Sequence, residues 1–323
     1  MCAEASPESP ESPAGVSVLG LGPMGTASAA AFLRAGHRTA VWHRTPGAAG
    51  VLVAKGAVEA GSVGAAVAAG PLVVVCAAPY EAARAVLDTA GDGLAGRTLV
   101  VLAPGSPVHA RETADWAERH GVGGYLDGVV MSSPPGVGGP GCLLLCSGDQ
   151  AAFDEHRKTL AALGEPFYLG PDAALASVYE TALLGLMSAT LTGWLHSVAL
   201  VGAAGPGGNV PATEFTEVAR RWLHSVGELM GTYAPQIGSE HCPADGLPLE
   251  RHLAMADILV HASELRGVPS GLPELLREPL ARAVAAGHGG EGYARLAGFV
   301  ASAGESASAG ESAPAAEDGS VTG

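Results

Sequence analysis

Basic residues are scarce in this chain. Lys and Arg number 17 against 32 Asp and Glu, for a formal net charge of −15. The ends hold part of the excess: residues 1–13 carry three acids and residues 301–323 carry four, with no Lys or Arg in either, which leaves the body near −8. An acidic body offers no electrostatic footprint to nucleic acid or to an anionic membrane, so neither is expected as a partner. Cysteine is sparse as well. Cys2, Cys76, Cys142, Cys146 and Cys242 show no metal-ligand spacing, and no metal is expected. Cys142 and Cys146 bracket an apolar run that reads as a strand, which puts both on one sheet face as small hydrophobes. The first residues repeat Ser-Pro-Glu, acidic and Pro-rich, the opposite of a targeting segment. Reduced thiols in a cytoplasm are the expectation. A single long apolar run spans residues 183–204, interrupted by Ser188, Thr190, Thr192, His196 and Ser197. It reads as a long buried helix between two domains rather than a membrane span.

What is plentiful is apolar surface. Hydrophobic residues make up 48% of 323, enough for two domains and a large core. Residues 1–13 and 301–323 read as low-complexity, disordered tails. Between them, strand-like runs at 16–19, 39–42, 72–76, 98–102, 125–130 and 142–147 alternate with helical stretches at 26–35, 47–55, 80–89, 107–120 and 151–162. That alternation predicts a doubly wound, mostly parallel α/β sheet over 14–172. After about residue 172 the strands vanish, and helices are expected at 173–203, 211–232, 247–266, 272–286 and 290–300. The architecture predicted is an N-terminal Rossmann domain, a long inter-domain helix and an all-α C-terminal domain over 173–300.

The first strand runs straight into Gly20-Leu21-Gly22-Pro23-Met24-Gly25, and a small-residue helix follows. Gly20 allows the tight turn, Gly22 lets the backbone approach a pyrophosphate, and Gly25 lets helix and strand pack closely. The helix N-terminus offers free N–H groups and a positive dipole end to phosphates. A bound dinucleotide is the expectation. The second strand ends in His43-Arg44-Thr45, where an NAD site places a carboxylate for the ribose 2′-hydroxyl. No carboxylate stands there. Arg44 supplies a fixed, charged fork suited to a 2′-phosphate and Thr45 a hydroxyl, which predicts NADP rather than NAD. Ligands lie at the carboxyl ends of such strands, so Ala77, Ala78 and Tyr80, then Ala103, should line the cofactor. Met131, in the segment 127–135, should lie near the nicotinamide, and Asp127 reads as structural.

These residues, together with Gly36, Val41-Trp-His-Arg-Thr45, Gly170-Pro-Asp172, Ala174, Ala176 and Tyr179-Glu-Thr-Ala-Leu-Leu184, resemble the β-hydroxyacid dehydrogenase superfamily. Within it the pattern is similar to the imine reductases and reductive aminases. Ala212-Thr-Glu-Phe215, Trp222-Leu-His224, Leu259-Val-His-Ala-Ser263 and Ala286-Gly-His-Gly-Gly290 look like that branch's helical landmarks. The resemblance implies reduction of C=N bonds, of cyclic imines above all, with NADPH. It also implies a homodimer whose helical domains interlock, so that each active site is completed by the other chain.

The resemblance further implies that Glu180 is the catalytic acid. It stands where the superfamily's dehydrogenases carry a lysine and imine reductases most often carry Asp or Tyr, and residues 173–204 contain no Lys. Tyr179, Leu183, Ser188, Trp222 and His252 fall at pocket positions, with Tyr179 turned about 100° from Glu180 on the helix and suited to packing. Pro104 and Ser188 replace a polar and an aromatic residue that reductive aminases often have, which argues against efficient condensation of a ketone with free amine. Ala48 and Ala49 replace a basic residue that would help hold the 2′-phosphate. Two competing readings follow. A hydroxyacid dehydrogenase would oxidise a 3-hydroxy acid with NADP, and a non-catalytic member would bind NADP without turnover.

Overall fold

The computed structural model describes residues 15–205 and 207–301. The expected tails lie outside the described residues, apart from Ala301, which is helical. The chain divides into two compact units, the first ending at Leu186 and the second beginning at Met187.

In the first unit, β1 (Gly15–Leu19), β2 (Arg38–Trp42), β3 (Val58–Glu59), β4 (Leu72–Val75), β5 (Thr98–Val101), β6 (Gly124–Met131), β7 (Leu143–Gly148) and β8 (Glu165–Tyr168) form one sheet. Their order is β3-β2-β1-β4-β5-β6-β7-β8. Every pairing is parallel except β6 with β7, where Asp127 faces Ser147 across an antiparallel ladder. The strands are apolar on both faces because helices cover both sides. Val16, Val18, Leu72, Val74, Val100 and Leu126 pack on one face with Phe32 of α1 (Pro23–Arg34). Leu19, Val73, Val75, Leu99 and Val101 pack on the other with Leu87 of α4 (Tyr80–Ala90) and Trp116 of α5 (Pro107–Arg119).

Five elements of the first unit differ from the sequence expectation. The predicted helix at 47–55 contracts to α2 (Gly50–Val53), and β3 follows it with α3 (Val63–Ala68), which Ser62 caps by accepting from the Ala65 N–H at 3.1 Å. β8 had no expected counterpart; it reads Glu-Pro-Phe-Tyr, and its proline is tolerated because the strand is an edge. Helix α1 begins at Pro23, not Thr26, since a proline is at home at the first helical position. After α6 (Gln150–Leu160), the helix α7 (Leu175–Gly202) runs on from the first unit into the second.

The second unit contains α8 (Ala212–Tyr233), α9 (Leu249–Leu265) and α10 (Gly271–Ala283). A small core joins α9 and α10 through Leu249, Ala256, Leu280 and Ala283, with Leu296 beyond them. The predicted helix at 290–300 is broken. A wide turn at Val284–His288, with Gly287 at φ 93°, leads to a tight turn at Tyr293–Arg295 before helix resumes. The expected burial of the long apolar helix is corrected as well. Among its residues only Ala176 and Ser177 are buried in the single chain, while Leu184, Leu186, Met187, Leu191 and Leu195 are exposed. The helix is long and apolar enough to cross a membrane by length and composition.

Candidate active site

The turn after β1 has the geometry that its glycines dictate. Gly20 sits at φ 95°, a region closed to most side chains, and its N–H donates to the Trp42 carbonyl at 2.9 Å. A Cβ on Gly25 would stand 1.8 Å from the Gly20 carbonyl oxygen, so only glycine lets α1 press against the turn. A Cβ on Gly22 would meet nothing within 4 Å, which leaves open space above the backbone. Gly22 is the N-cap of α1 and brings no side-chain acceptor, and the first turn of α1 carries no acid. The N–H groups of that turn therefore face open space with a positive dipole end and no competing carboxylate. This is a cradle for a diphosphate, and the residues present fit a dinucleotide.

The flanking strands end around this cradle. At the end of β2, His43 Nδ1 accepts from the Thr45 N–H at 3.0 Å, Arg44 is exposed, and Glu59 of β3 accepts from the Gly47 N–H at 3.1 Å. At the end of β4, Ala77 and Ala78 lead into Tyr80. The Tyr80 ring stacks on His109 at 4.0 Å, and its hydroxyl donates to the His109 carbonyl at 2.8 Å. His109 in turn locks the first turn of α5, accepting from the Ser106 N–H at 3.2 Å. Met131 closes β6 and packs with Val129, Leu145, Ala176 and Leu183.

A cavity of about 220 Å³ opens at this end of the sheet, lined by Met24, Ser28, Ala103, Pro104, Ser132 and Glu180 among others. The structure thus brings together three predicted site residues, Met24, Ala103 and Glu180. Glu180 is half-buried, and burial raises its carboxyl above the usual range. Leu183, one turn on, faces the β6–β7 surface, while Tyr179 points outward and is exposed, so the expected packing role is not fulfilled within the chain. Sequence reasoning missed Ser28 and Ser132. Ser28 looks like one more small residue of α1, and only the fold turns it toward Glu180's cavity. A wider hollow of about 460 Å³ beside Gly124, Tyr125 and Asp149 holds none of the predicted residues.

The seat of α7 was also missed. Ser147 Oγ accepts from the Ala176 N–H and donates to the Ala173 carbonyl, both at 2.9 Å. Asp172 accepts from the Ala174 N–H at 3.0 Å and pairs with Arg111 at 2.7 Å. Asp127 is buried and accepts from Ser177 Oγ at 2.9 Å. Its carboxyl is pushed up to about 7, chiefly by burial. The remaining predicted pocket residues belong to the second unit. Ser188 lies on an exposed stretch of α7. Trp222 lines an apolar cavity of about 420 Å³ with Trp194, His196, Phe215 and Leu276. His252 packs edge-on against Tyr293 at 4.8 Å, and burial lowers its pKa.

Residues 15–174 match the NAD binding domain of 6-phosphogluconate dehydrogenase, and residues 172–302 match the NADPH-dependent reductive aminase-like C-terminal domain. An NADPH-dependent reductive aminase of Aspergillus oryzae is 34% identical over 87% of this chain and 95% of its own length. The chain belongs to the reductive aminase and imine reductase family. A reductive aminase from Aspergillus terreus, solved with NADPH and ethyl levulinate, is 35% identical with a TM-score of 0.77, over 90% of this chain and 100% of that one. An imine reductase from Myxococcus stipitatus, solved with NADP+, is 34% identical with a TM-score of 0.75, over 89% and 100%. Family membership fits the glycine cradle and the absence of lysine from α7, which speaks against the hydroxyacid dehydrogenase alternative.

Proposed function

We propose that Glu180 is the proton donor in an NADPH-dependent reduction of preformed, cyclic imines. The chain is an oxidoreductase of the family that acts on C=N bonds, and its coenzyme is NADPH. When bound, the coenzyme would supply a hydride for the imine carbon. The glycine cradle and the start of α1 would hold its diphosphate, and Arg44 and Thr45 its 2′-phosphate. Ala77, Ala78, Tyr80, Ala103 and Met131 would line its path along the strand ends. The carboxyl of Glu180 protonates the imine nitrogen and then, as a carboxylate, steadies the cation.

The observation that carries this reading is the position of Glu180. It is a half-buried carboxyl, raised by burial, in a cavity that opens beside Met24 and Ala103 at the cradle end of the sheet. Pro104 in the same lining brings no polar group to activate a free amine, which favours imines formed beforehand. The test is Glu180→Gln. Turnover of a small cyclic imine should fall by about 10²–10⁴-fold, while the Kd for NADPH, measured by calorimetry, stays within about twofold. Unchanged turnover removes Glu180 from the chemistry.

We also infer a homodimer joined through the helical units. The exposed apolar faces of α7, α8 and α9 support this, and so does Trp222, whose apolar cavity awaits a covering surface. The four cysteines of the described residues, unpaired and buried, favour the cytoplasm as its compartment.

A further inference from the structure

One wall of the cavity that holds Glu180 is fastened by hydrogen bonds only at its two ends. Leu102, Ala103 and Pro104 line that cavity in succession just past β5. At the near end, the Leu102 N–H donates to the Val75 carbonyl of β4 at 2.8 Å. Among the described residues, no hydrogen bond then reaches the backbone of 103–105. The next group held is the Ser106 N–H, which donates to His109 Nδ1 at 3.2 Å. A backbone N–H can only donate, so Nδ1 accepts and the ring proton sits on Nε2.

His109 is itself fixed on several sides. Its N–H donates to Ser106 Oγ at 3.4 Å, which completes a reciprocal cap at the start of α5. Its carbonyl accepts from the Tyr80 hydroxyl at 2.8 Å and from the buried Thr113 hydroxyl at 2.9 Å. Its ring lies on the Tyr80 ring, with centroids 4.0 Å apart and planes 7° from parallel. Gly105 passes tight against this stack: a Cβ there would stand 3.3 Å from Tyr80 Cδ2 and 3.4 Å from His109 Cβ. The usual partner in such a cap is Glu or Gln, which brings an acceptor but no ring. Histidine brings both, and so ties the segment after β5 to the start of α4 as well as to α5. His109 does not line the cavity.

We propose that His109 is a positioning residue for imine reduction, whose ring holds the 103–105 wall in place against the bound imine through the Ser106 N–H. This inference rests on the Glu180 cavity being the imine site and adds the residue that fixes its wall. Ala103 and Pro104 offer the imine apolar surface, which meets substrate and transition state alike. Loosening the wall therefore weakens binding more than chemistry, and the signature belongs in KM.

Three variants separate the acceptor from the ring. His109→Ala should raise the KM for a small cyclic imine by about tenfold and keep kcat within about threefold. His109→Gln restores the acceptor and should bring KM back to within about threefold of wild type. His109→Phe keeps a ring on Tyr80 but strands the Ser106 N–H, so its KM should stay raised. A merely structural role would lower Tm and leave this pattern unformed. An unchanged KM in His109→Ala, a raised KM that His109→Gln leaves uncorrected, or one that His109→Phe corrects equally would overturn the proposal. A second readout needs neither turnover nor coenzyme. Hydrogen exchange at the Ser106 amide, followed by NMR, should be about fivefold faster in His109→Ala than in wild type and slow again in His109→Gln. In wild-type protein, ¹⁵N-histidine spectra should show His109 with its proton on Nε2, and a proton on Nδ1 would overturn the proposal even if every variant misfolds. The two readings fail separately. Full turnover by Glu180→Gln beside a raised KM in His109→Ala would defeat the donor and keep the wall. Lost turnover in the first beside an unchanged KM in the second would defeat the wall and keep the donor.

Discussion

Under the proposed reading, Arg44 distinguishes two coenzymes with one side chain. It stands exposed just past β2, with Thr45 beside it, where a carboxylate would have served a ribose 2′-hydroxyl. A guanidinium binds a 2′-phosphate through charge-assisted bonds worth about 1.5–3 kcal/mol each. Exposure to water places this one at the lower end. Arg44→Ser should therefore raise the Kd for NADPH by about tenfold and leave the weaker binding of NADH nearly unchanged. Fluorescence titration with both coenzymes checks this, and a parallel loss of both would mean that Arg44 shapes the loop rather than reading the phosphate. Ala48 and Ala49 supply no second cation, so in the proposed reading Arg44 has no help from that turn. Gly25 is constrained differently. Its missing Cβ would strike the Gly20 carbonyl, so its role is visible in the backbone alone.

At the scale of elements, the seat of α7 matters most, because it aims Glu180. The first N–H groups of a helix need outside acceptors, and here the sheet provides them. Ser147 takes the Ala176 N–H from β7, and Asp127 takes Ser177 from β6. Ser147→Ala would strand a buried N–H and the Ala173 carbonyl, a loss of about 1–3 kcal/mol. A shift of that size in the urea midpoint, with unchanged slope, is the expected result, and imine turnover should fall with it as Glu180 loses its fixed aim. Of this seat the sequence showed only Asp127, which read as structural. Asp127 and Ser177 are 50 residues apart, and Ser147 reaches the same helix start only because β7 returns antiparallel beside β6. The parallel strands and their helices were legible, because valine-rich runs alternated with amphipathic stretches. The elements that escaped were those without such a signal. β3 has two residues, α3 reads Val-Gly-Ala-Ala-Val-Ala, and β8 carries a proline. The cradle was legible because backbone sterics alone dictate glycine there. Glu180 became a candidate only through its neighbours on the helix, since an isolated glutamate at that spacing is ordinary.

At the scale of the whole molecule, the helical unit is unfinished. Its buried core is a handful of side chains from α9, α10 and the segment beyond, whereas Trp222 is 66% exposed, Ile258 68% and Leu265 74%. Single exposed apolar residues are normal, but a run of them over α7, α8 and α9 needs a cover, and a second copy presents the same face. Burying such surface contributes about 25 cal/mol per Å², so an interface of a few thousand Å² holds firmly even after the entropy of association. The wild-type chain should therefore sediment at twice its 32.0 kDa mass at micromolar concentration, and its Tm should rise with concentration, as for any protein stabilised by self-association. Ile258→Glu places a charge at an exposed apolar position of α9, outside every residue assigned to the coenzyme or to the proton. It should shift the sedimentation toward the single-chain mass and lower the Tm, while NADPH still binds through the first unit. If the wild-type chain sediments as a monomer at tens of micromolar, the apolar faces have some other cover, and the interlocked arrangement is lost with the dimer. If Ile258→Glu dissociates the dimer and imine turnover disappears while the NADPH Kd holds, each site needs its partner's helices, because the proton donor and the coenzyme cradle alone would then be insufficient for the reaction.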